Sequence, residues 1–237
     1  MGPLQNVIDL AHDIKNIRVC VVSTLSVSGE RVLGNKEMFD EKDFDVGQRF
    51  DYIYDKTKFE AEKIVRHAID NGLDVFVVRL GSLVGGPMQR NPVNNSFYQY
   101  LRAIISTKKD WNIDTSFDVS PVDISAKGIV CLCKLKNLPI RTFHLFNNRV
   151  VKSSEMVGMI NELGWTIGSG VSNLLKNDKE CFSASLVNYL PTRKNNSVFI
   201  YGDSDTRKIM DNVVRWPKID KKILNDILKK LKLNNLI

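Results

Sequence analysis

Two runs constrain this chain more than any other feature: IRVCVVST (Ile17 to Thr24) and LDVFVVRLG (Leu73 to Gly81). Both are continuous and valine-rich rather than alternating, the pattern of a strand covered on both faces in a parallel sheet. A segment of helical period precedes each. Leu4, Val7, Ile8, Ala11 and Ile14 share a face before the first run, with Asn16 ending that helix, and the stretch from Phe50 to Asn71 precedes the second, with Gly72 as a left-handed cap. A helix that leads directly into a buried strand is half of a βαβ unit, so the prediction is an α/β fold built on a parallel sheet.

The remainder is read from the same signals. Residues 25–50 are polar, carry the acidic stretch FDEKDFD and read as a long functional loop. GSLVGGPMQRNPVNN is rich in glycine and proline and also reads as loop. SFYQYLRAIIST and PVDISAKGIVCLCKL follow as helices, the second opened by Pro121 and Asp123, and RTFHLFNN reads as a third strand. Beyond about residue 150, SSEMVGMINELGW, with a Ser-Ser-Glu cap, and IDKKILNDILKKLKL read as amphipathic helices, so a helical lobe follows the α/β core. A chain of 237 residues, 43% hydrophobic, can bury a substantial core. The net charge of +7 is spread among acidic residues except in the last helix, which argues against nucleic acid as a partner. Cys20, Cys131, Cys133 and Cys181 lack CxxC spacing and a histidine cluster, so they are expected to be buried reduced thiols and no metal site is predicted. No apolar run reaches the ~20 residues of a membrane span and no basic-then-apolar leader is present, so a cytoplasmic protein without a membrane partner is expected.

Chemistry concentrates in FDYIYDKTKFEAEK, where tyrosine and lysine recur four apart on one helix face. A nearby cation favours the ionised phenol, which lowers its pKa and lets the hydroxyl exchange a proton well below pH ~10. Carbonyl reduction needs such a group: as hydride reaches carbon, charge develops on oxygen, a tyrosine supplies the proton and a second hydroxyl steadies the oxyanion. Two nested pairs compete, Tyr52 with Lys56 and Tyr54 with Lys58. Tyr54 and Lys58 continue through Ala61, Val65 and Ala68, a face able to lie against a sheet, whereas Tyr52 and Lys56 continue through Glu60, Lys63 and His67. Tyr54 and Lys58 are therefore preferred over Tyr52 and Lys56; a YxxxK by itself is more often an exposed helix pair, and it is the strand end ahead of it that raises the catalytic reading. The first buried run ends in Ser23-Thr24, at the strand end where parallel sheets meet ligands, and Thr24 is the candidate second hydroxyl; a strand-end threonine capping its own backbone is the competing reading.

VSTLSVSG (Val22 to Gly29), YDKTKFEAE (Tyr54 to Glu62), VVRLGSLVG (Val77 to Gly85) and SPVDISAKGIVCL (Ser120 to Leu132) resemble, in order and spacing, the extended short-chain dehydrogenases. The acidic loop, RLGSLVGG and DNVVRWPKIDKKILNDILKKL resemble the thioester reductase domains of nonribosomal peptide synthetases and carboxylic acid reductases. The resemblance implies a Rossmann-like doubly wound sheet with a smaller, mainly helical substrate lobe. It divides the chain into a cofactor and catalytic domain, residues 1–85 and 117–148, and a substrate lobe, residues 86–116 and 149–237. It also implies a catalytic set of Thr24, Tyr54 and Lys58, with Ser23, Tyr54, Lys58, Gly81, Ser82 and Leu83 at the cofactor, NADPH. The implied partner is a phosphopantetheinylated peptidyl carrier protein, whose thioester would be released as an aldehyde or alcohol.

One departure matters. No GxxGxxG occurs, so the turn that would bring backbone N–H groups to the pyrophosphate is absent. The expectation is a partial fold lacking its leading strands, weak or absent NADPH affinity, little activity alone, and self-association through an exposed sheet edge. A nucleotide-sugar epimerase or dehydratase, or another small-molecule extended dehydrogenase, is the alternative enzyme. A non-catalytic module that docks a carrier protein is the alternative of another class.

Overall fold

The structure, a computed structural model, describes residues 2–14, 17–32, 34, 36–85, 96–110, 116–169, 199–233 and 237. In chain order the elements are α1 (Gly2–Asp13), β1 (Val19–Thr24), a 3-10 turn (Leu25–Ser28), β2 (Met38–Phe39), α2 (Ile53–Asp70), β3 (Val75–Leu80), β4 (Ser82–Val84), α3 (Ser96–Thr107), β5 (Lys109–Asp110) and β6 (Ser116–Phe117). There follow β7 (Val119–Pro121), α4 (Val122–Lys134), β8 (Thr142–Leu145), β9 (Val151–Lys152), α5 (Ser153–Glu162), β10 (Gly168–Ser169), β11 (Ile200–Tyr201), α6 (Ser204–Met210) and α7 (Lys221–Leu233). They divide into two compact units: residues 1–81, 125–146 and 196–215 form one, and 82–124, 147–195 and 216–237 the other.

The first unit is built on a parallel sheet of order β1-β3-β8, in register Val19↔Val75 and Val77↔Thr142. Its helices cover both sheet faces, as in a doubly wound fold. On one face Ile8 of α1 and Val65 and Ala68 of α2 pack against Val75 and Val77, with Val19 and Val21 of β1 at the margin. On the other, α4 comes so close to β8 that a Cβ on Gly128 would stand 2.7 Å from Leu145 Cδ2, and Phe76 meets Phe143 edge-on at 5.8 Å. Gly72 ends α2 at φ +84°, the left-handed backbone its position requires.

β3 and β8 are buried along their whole length, but β1 is not. It lies at the edge of the sheet and Val22 is 48% exposed, so the expectation of cover on both faces fails there: an apolar run reports preference for cover, not its presence. The thiols depart in the same way. Cys20 and Cys131 are half-buried and Cys133 is exposed, while Cys181 lies outside the described residues. Cys20 sits beside Cys133, and burial together with that neighbour pushes its thiol up to about 12.

The second unit gathers α3, α5 and α7 with short strand pairs around a core that includes Phe97, Leu101, Ile104, Met156, Ile160, Leu224 and Leu228. Part of the expected loop after Gly81 is strand: β4 runs parallel to β7, in register Ser82↔Val119. Local composition could not reveal that long-range pairing. α5 begins at Ser153 after an N-cap at Lys152 that makes no side-chain cap bond, so the expected Ser-Ser-Glu cap does not form. Among the described residues, no helix is long and apolar enough to cross a membrane and no group of metal-ligating side chains assembles.

Candidate active site

Thr24 closes β1 at the C-terminal end of the sheet and opens the 3-10 turn as its N-cap, at φ −139° and ψ 151°. Its Oγ1 accepts the Ser26 N–H at 3.2 Å and donates to Ser26 Oγ at 3.2 Å. The same hydroxyl lies within hydrogen-bonding reach of the Tyr54 phenol in the first turn of α2. One turn further along, Lys58 Nζ stands 5.9 Å from the centroid of the Tyr54 ring. Tyr52 instead occupies the N-cap of α2, outside the helix.

The face of α2 that meets the sheet is Asp55, Phe59, Glu62, Val65 and Ala68. Tyr54 is 58% exposed, which corrects the reading that put it on the covered face together with Val65 and Ala68. Its electrostatics also differ from expectation. Partial burial, then the charge of the adjacent Asp55, raise the Tyr54 pKa, and the Thr24 hydrogen bond lowers it. Lys58 is not among the groups that shift it. The phenol is therefore held protonated at neutral pH, which suits a proton donor more than a base.

Gly81 follows the end of β3, and Ser23 is buried with its hydroxyl donating to Glu62 Oε1 at 2.6 Å. In the second unit, Ser82 N–H donates to Asp118 Oδ2 at 2.8 Å, and Leu83 pairs in the β4–β7 ladder opposite Ser120. Thr24, Tyr54 and Lys58 thus come together on the first unit; Ser82 and Leu83 are anchored in the second.

Residues that sequence reading did not single out lie beside them. Arg79, Glu62 and His144 are buried polar side chains behind Ser23. One signal was available for Arg79: an arginine inside an otherwise apolar strand run requires a buried partner.

A nicotinamide cofactor can be tested against this arrangement. The pair of hydroxyls at a parallel-sheet terminus is where such a fold meets its ligand. Lys58 is half-buried and carries no ion pair with a carboxylate among the described residues, so its ammonium has donors to offer ribose hydroxyls. The residues present fit that half of the group; a Gly-rich turn for its phosphates is not found in the sequence.

A family model described as male sterility protein, an NAD-binding family, matches residues 1–129. A linear gramicidin synthase polypeptide of Brevibacillus parabrevis is 24% identical over 191 residues, 74% of this chain and 4% of that protein. A thiolation-reductase di-domain from an archaeal non-ribosomal peptide synthetase superposes with a TM-score of 0.78 at 25% identity, over 99% of this chain and 53% of its own. The reductase domain of the aureusimine biosynthetic cluster superposes with a TM-score of 0.81 at 22% identity, over 98% of this chain and 65% of its own, a likeness of fold. The chain thus spans less than two thirds of the length of each of these relatives.

Proposed function

Because this chain belongs to the male sterility protein family of NAD-binding proteins, we propose that it is the catalytic part of a reductase that releases an acyl or peptidyl thioester from a carrier protein. The observation that carries this reading is the Thr24 hydroxyl against the Tyr54 phenol, with Lys58 one turn away, at the C-terminal end of a parallel sheet. The likeness to the thiolation-reductase di-domain of a non-ribosomal peptide synthetase supports the carrier thioester as substrate. In this reading NADPH supplies the hydride and an aldehyde, or after a second round an alcohol, is the product. In the same reading residues 1–85 and 117–148 hold the cofactor and catalytic residues, and residues 86–116 and 149–237 receive the acyl chain.

The side chains divide the work as follows. Thr24 Oγ1 donates to the thioester carbonyl oxygen as negative charge builds there, which requires its proton to turn from Ser26 Oγ toward substrate. Tyr54 delivers its proton to the same oxygen, and its raised pKa keeps that proton available. Collapse of the resulting hemithioacetal breaks the C–S bond and frees the carrier thiol. Lys58 holds the nicotinamide ribose by its ammonium.

The test is a carrier protein loaded with a defined acyl thioester, incubated with NADPH and the chain in its native polypeptide, with the aldehyde trapped and NADPH consumption followed at the same time. Aldehyde formation in step with NADPH loss supports the reading. Turnover of a nucleotide sugar with no thioester reduction overturns it. The missing Gly-rich turn supports weak NADPH binding by this chain alone, and micromolar affinity by calorimetry would argue otherwise. The exposed Val22 edge of β1 supports self-association, which a monomer in light scattering at high concentration would exclude.

A further inference from the structure

Arg79 is fully buried, and four of its five N–H donors are engaged. Nε lies 3.2 and 3.1 Å from the two Glu62 carboxylate oxygens and Nη2 lies 2.7 Å from Oε2. Nη1 donates to Asp43 O at 2.9 Å and meets His144 Nε2 at 3.2 Å. The histidine tautomer follows from its other contact. His144 Nδ1 is 2.7 Å from Gly202 O, which can only accept, so Nδ1 carries the proton and Nε2 accepts from Arg79. Burial and the Arg79 charge push His144 down to about 3, in keeping with a neutral ring.

An apolar pair of similar volume would usually be as stable as a buried ion pair, so the reason for this one lies in what else it holds. Glu62 Oε1 accepts from Ser23 Oγ at 2.6 Å, and Ser23 is the residue before Thr24. Glu62 also lies on α2, about two turns beyond Tyr54. The β ladder fixes β1 along β3, with Ser23 opposite Arg79 and Thr24 opposite Leu80. α2 also packs on β1 through apolar side chains, and such packing constrains sliding far less than directional hydrogen bonds.

We propose that Glu62, gripped by Arg79, is a positioning residue for the reduction: through Ser23 it holds Thr24 Oγ1 at the height on α2 where it meets Tyr54. This rests on the reductase reading. It also gives the Ser23 hydroxyl to Glu62 rather than to the cofactor.

Ser23→Ala, made in the native polypeptide, removes the tie and leaves the Glu62–Arg79 pair in place. Four readouts separate positioning from a merely structural role: kcat and KM for the carrier thioester, NADPH Kd, the thermal midpoint, and the Tyr54 titration followed by NMR of ring-labelled tyrosine. The expected result is a kcat lower by about tenfold to a hundredfold, from misplacement of order 1 Å, with KM and Kd held within about twofold. Tyr54 should titrate higher than in wild type, because the Thr24 bond that lowers its pKa is weakened, and Ser23→Thr should restore both kcat and titration. Ser23→Cys, with a weak donor in nearly the same volume, takes the place of Ser23→Ala if that variant does not fold. An unchanged kcat with an unmoved Tyr54 resonance overturns the proposal, as does a rise in NADPH Kd that accounts for the loss. If wild type reduces no thioester, the reductase reading fails instead, and the Tyr54 titration alone decides the positioning role.

Discussion

Replacing Glu62 by glutamine tests the buried network with the smallest change of shape. The carboxylate is 1% exposed and faces a guanidinium that is 0% exposed, so solvent cannot screen the charge left behind. A glutamine amide keeps one acceptor for Arg79, but with its NH2 in place of Oε1 it forces the Ser23 hydroxyl to turn and accept and still faces Arg79 Nε–H donor against donor. Breaking a buried pair by removing one partner costs about 3–5 kcal/mol. For a chain of this size each kcal/mol moves the midpoint by about 2–4 °C, so Glu62→Gln should melt roughly 6–20 °C below wild type. Calorimetry of wild type, Glu62→Gln, Glu62→Met, Arg79→Met and the double variant Glu62→Met with Arg79→Met completes the experiment. The double variant removes both charges and should be less destabilised than the sum of single losses. It should still fall short of wild type, because Asp43 O and His144 Nε2 lose their donor. A Glu62→Gln midpoint within about 2 °C of wild type, or strictly additive losses, would refute the reasoning.

Tyr54→Phe should lower kcat for thioester reduction by about 10²–10⁴-fold, while stability, at a half-exposed position, moves by no more than about 0.5 kcal/mol. Equal rates of aldehyde release would remove Tyr54 from proton transfer. Gly29 stands at φ 58° and ψ −152°, and a Cβ there would lie 2.5 Å from Arg49 O, which accepts the Glu30 N–H at 2.7 Å. Gly29→Ala should therefore cost about 2–4 kcal/mol in urea unfolding, through backbone strain and loss of that bridge, and a neutral result would contradict the loop geometry. His144 is depressed to about 3 by burial first and by Arg79 second, so between pH 6.5 and that value the unfolded chain binds a proton that the folded chain refuses. Stability present above pH 6.5 is accordingly lost as pH falls through this window, by up to about 5 kcal/mol, and a His144→Asn variant that loses stability as steeply would exclude His144 as the cause.

Much of the first unit is legible in the sequence because its signals are local. β3 follows a valine-rich run and α2 shows a helical period with Gly72 after it; in the second unit α3 likewise spans a stretch, Ser96–Thr107, read as a helix. What periodicity cannot report is the supply of cover. Val22 and the thiols of Cys20 and Cys133 are apolar enough to be inside, yet the neighbours that would bury them are not in the described structure. β4 was hidden for the opposite reason, since its strand character comes from β7, far away in sequence. At the candidate site, the spacing of Tyr54 and Lys58 is visible, but the sign of the Tyr54 shift is not, because it depends on burial and on Asp55 rather than on the lysine. Glu62 reads as one more charge on a helix until Arg79 is seen opposite it.

The parallel ladder also orders events in time. Val19 waits for Val75, Val77 waits for Thr142, and His144 waits for Gly202 and Thr206. No hairpin can nucleate this sheet, so refolding is expected on the slow, millisecond-to-second side of the range for small domains. While the chain is being made, VCVVST is complete long before its pairing strand emerges, and the contacts that fix His144 beside Arg79 close last. That interval, rather than the finished fold, is when this protein most needs protection from its own apolar strands.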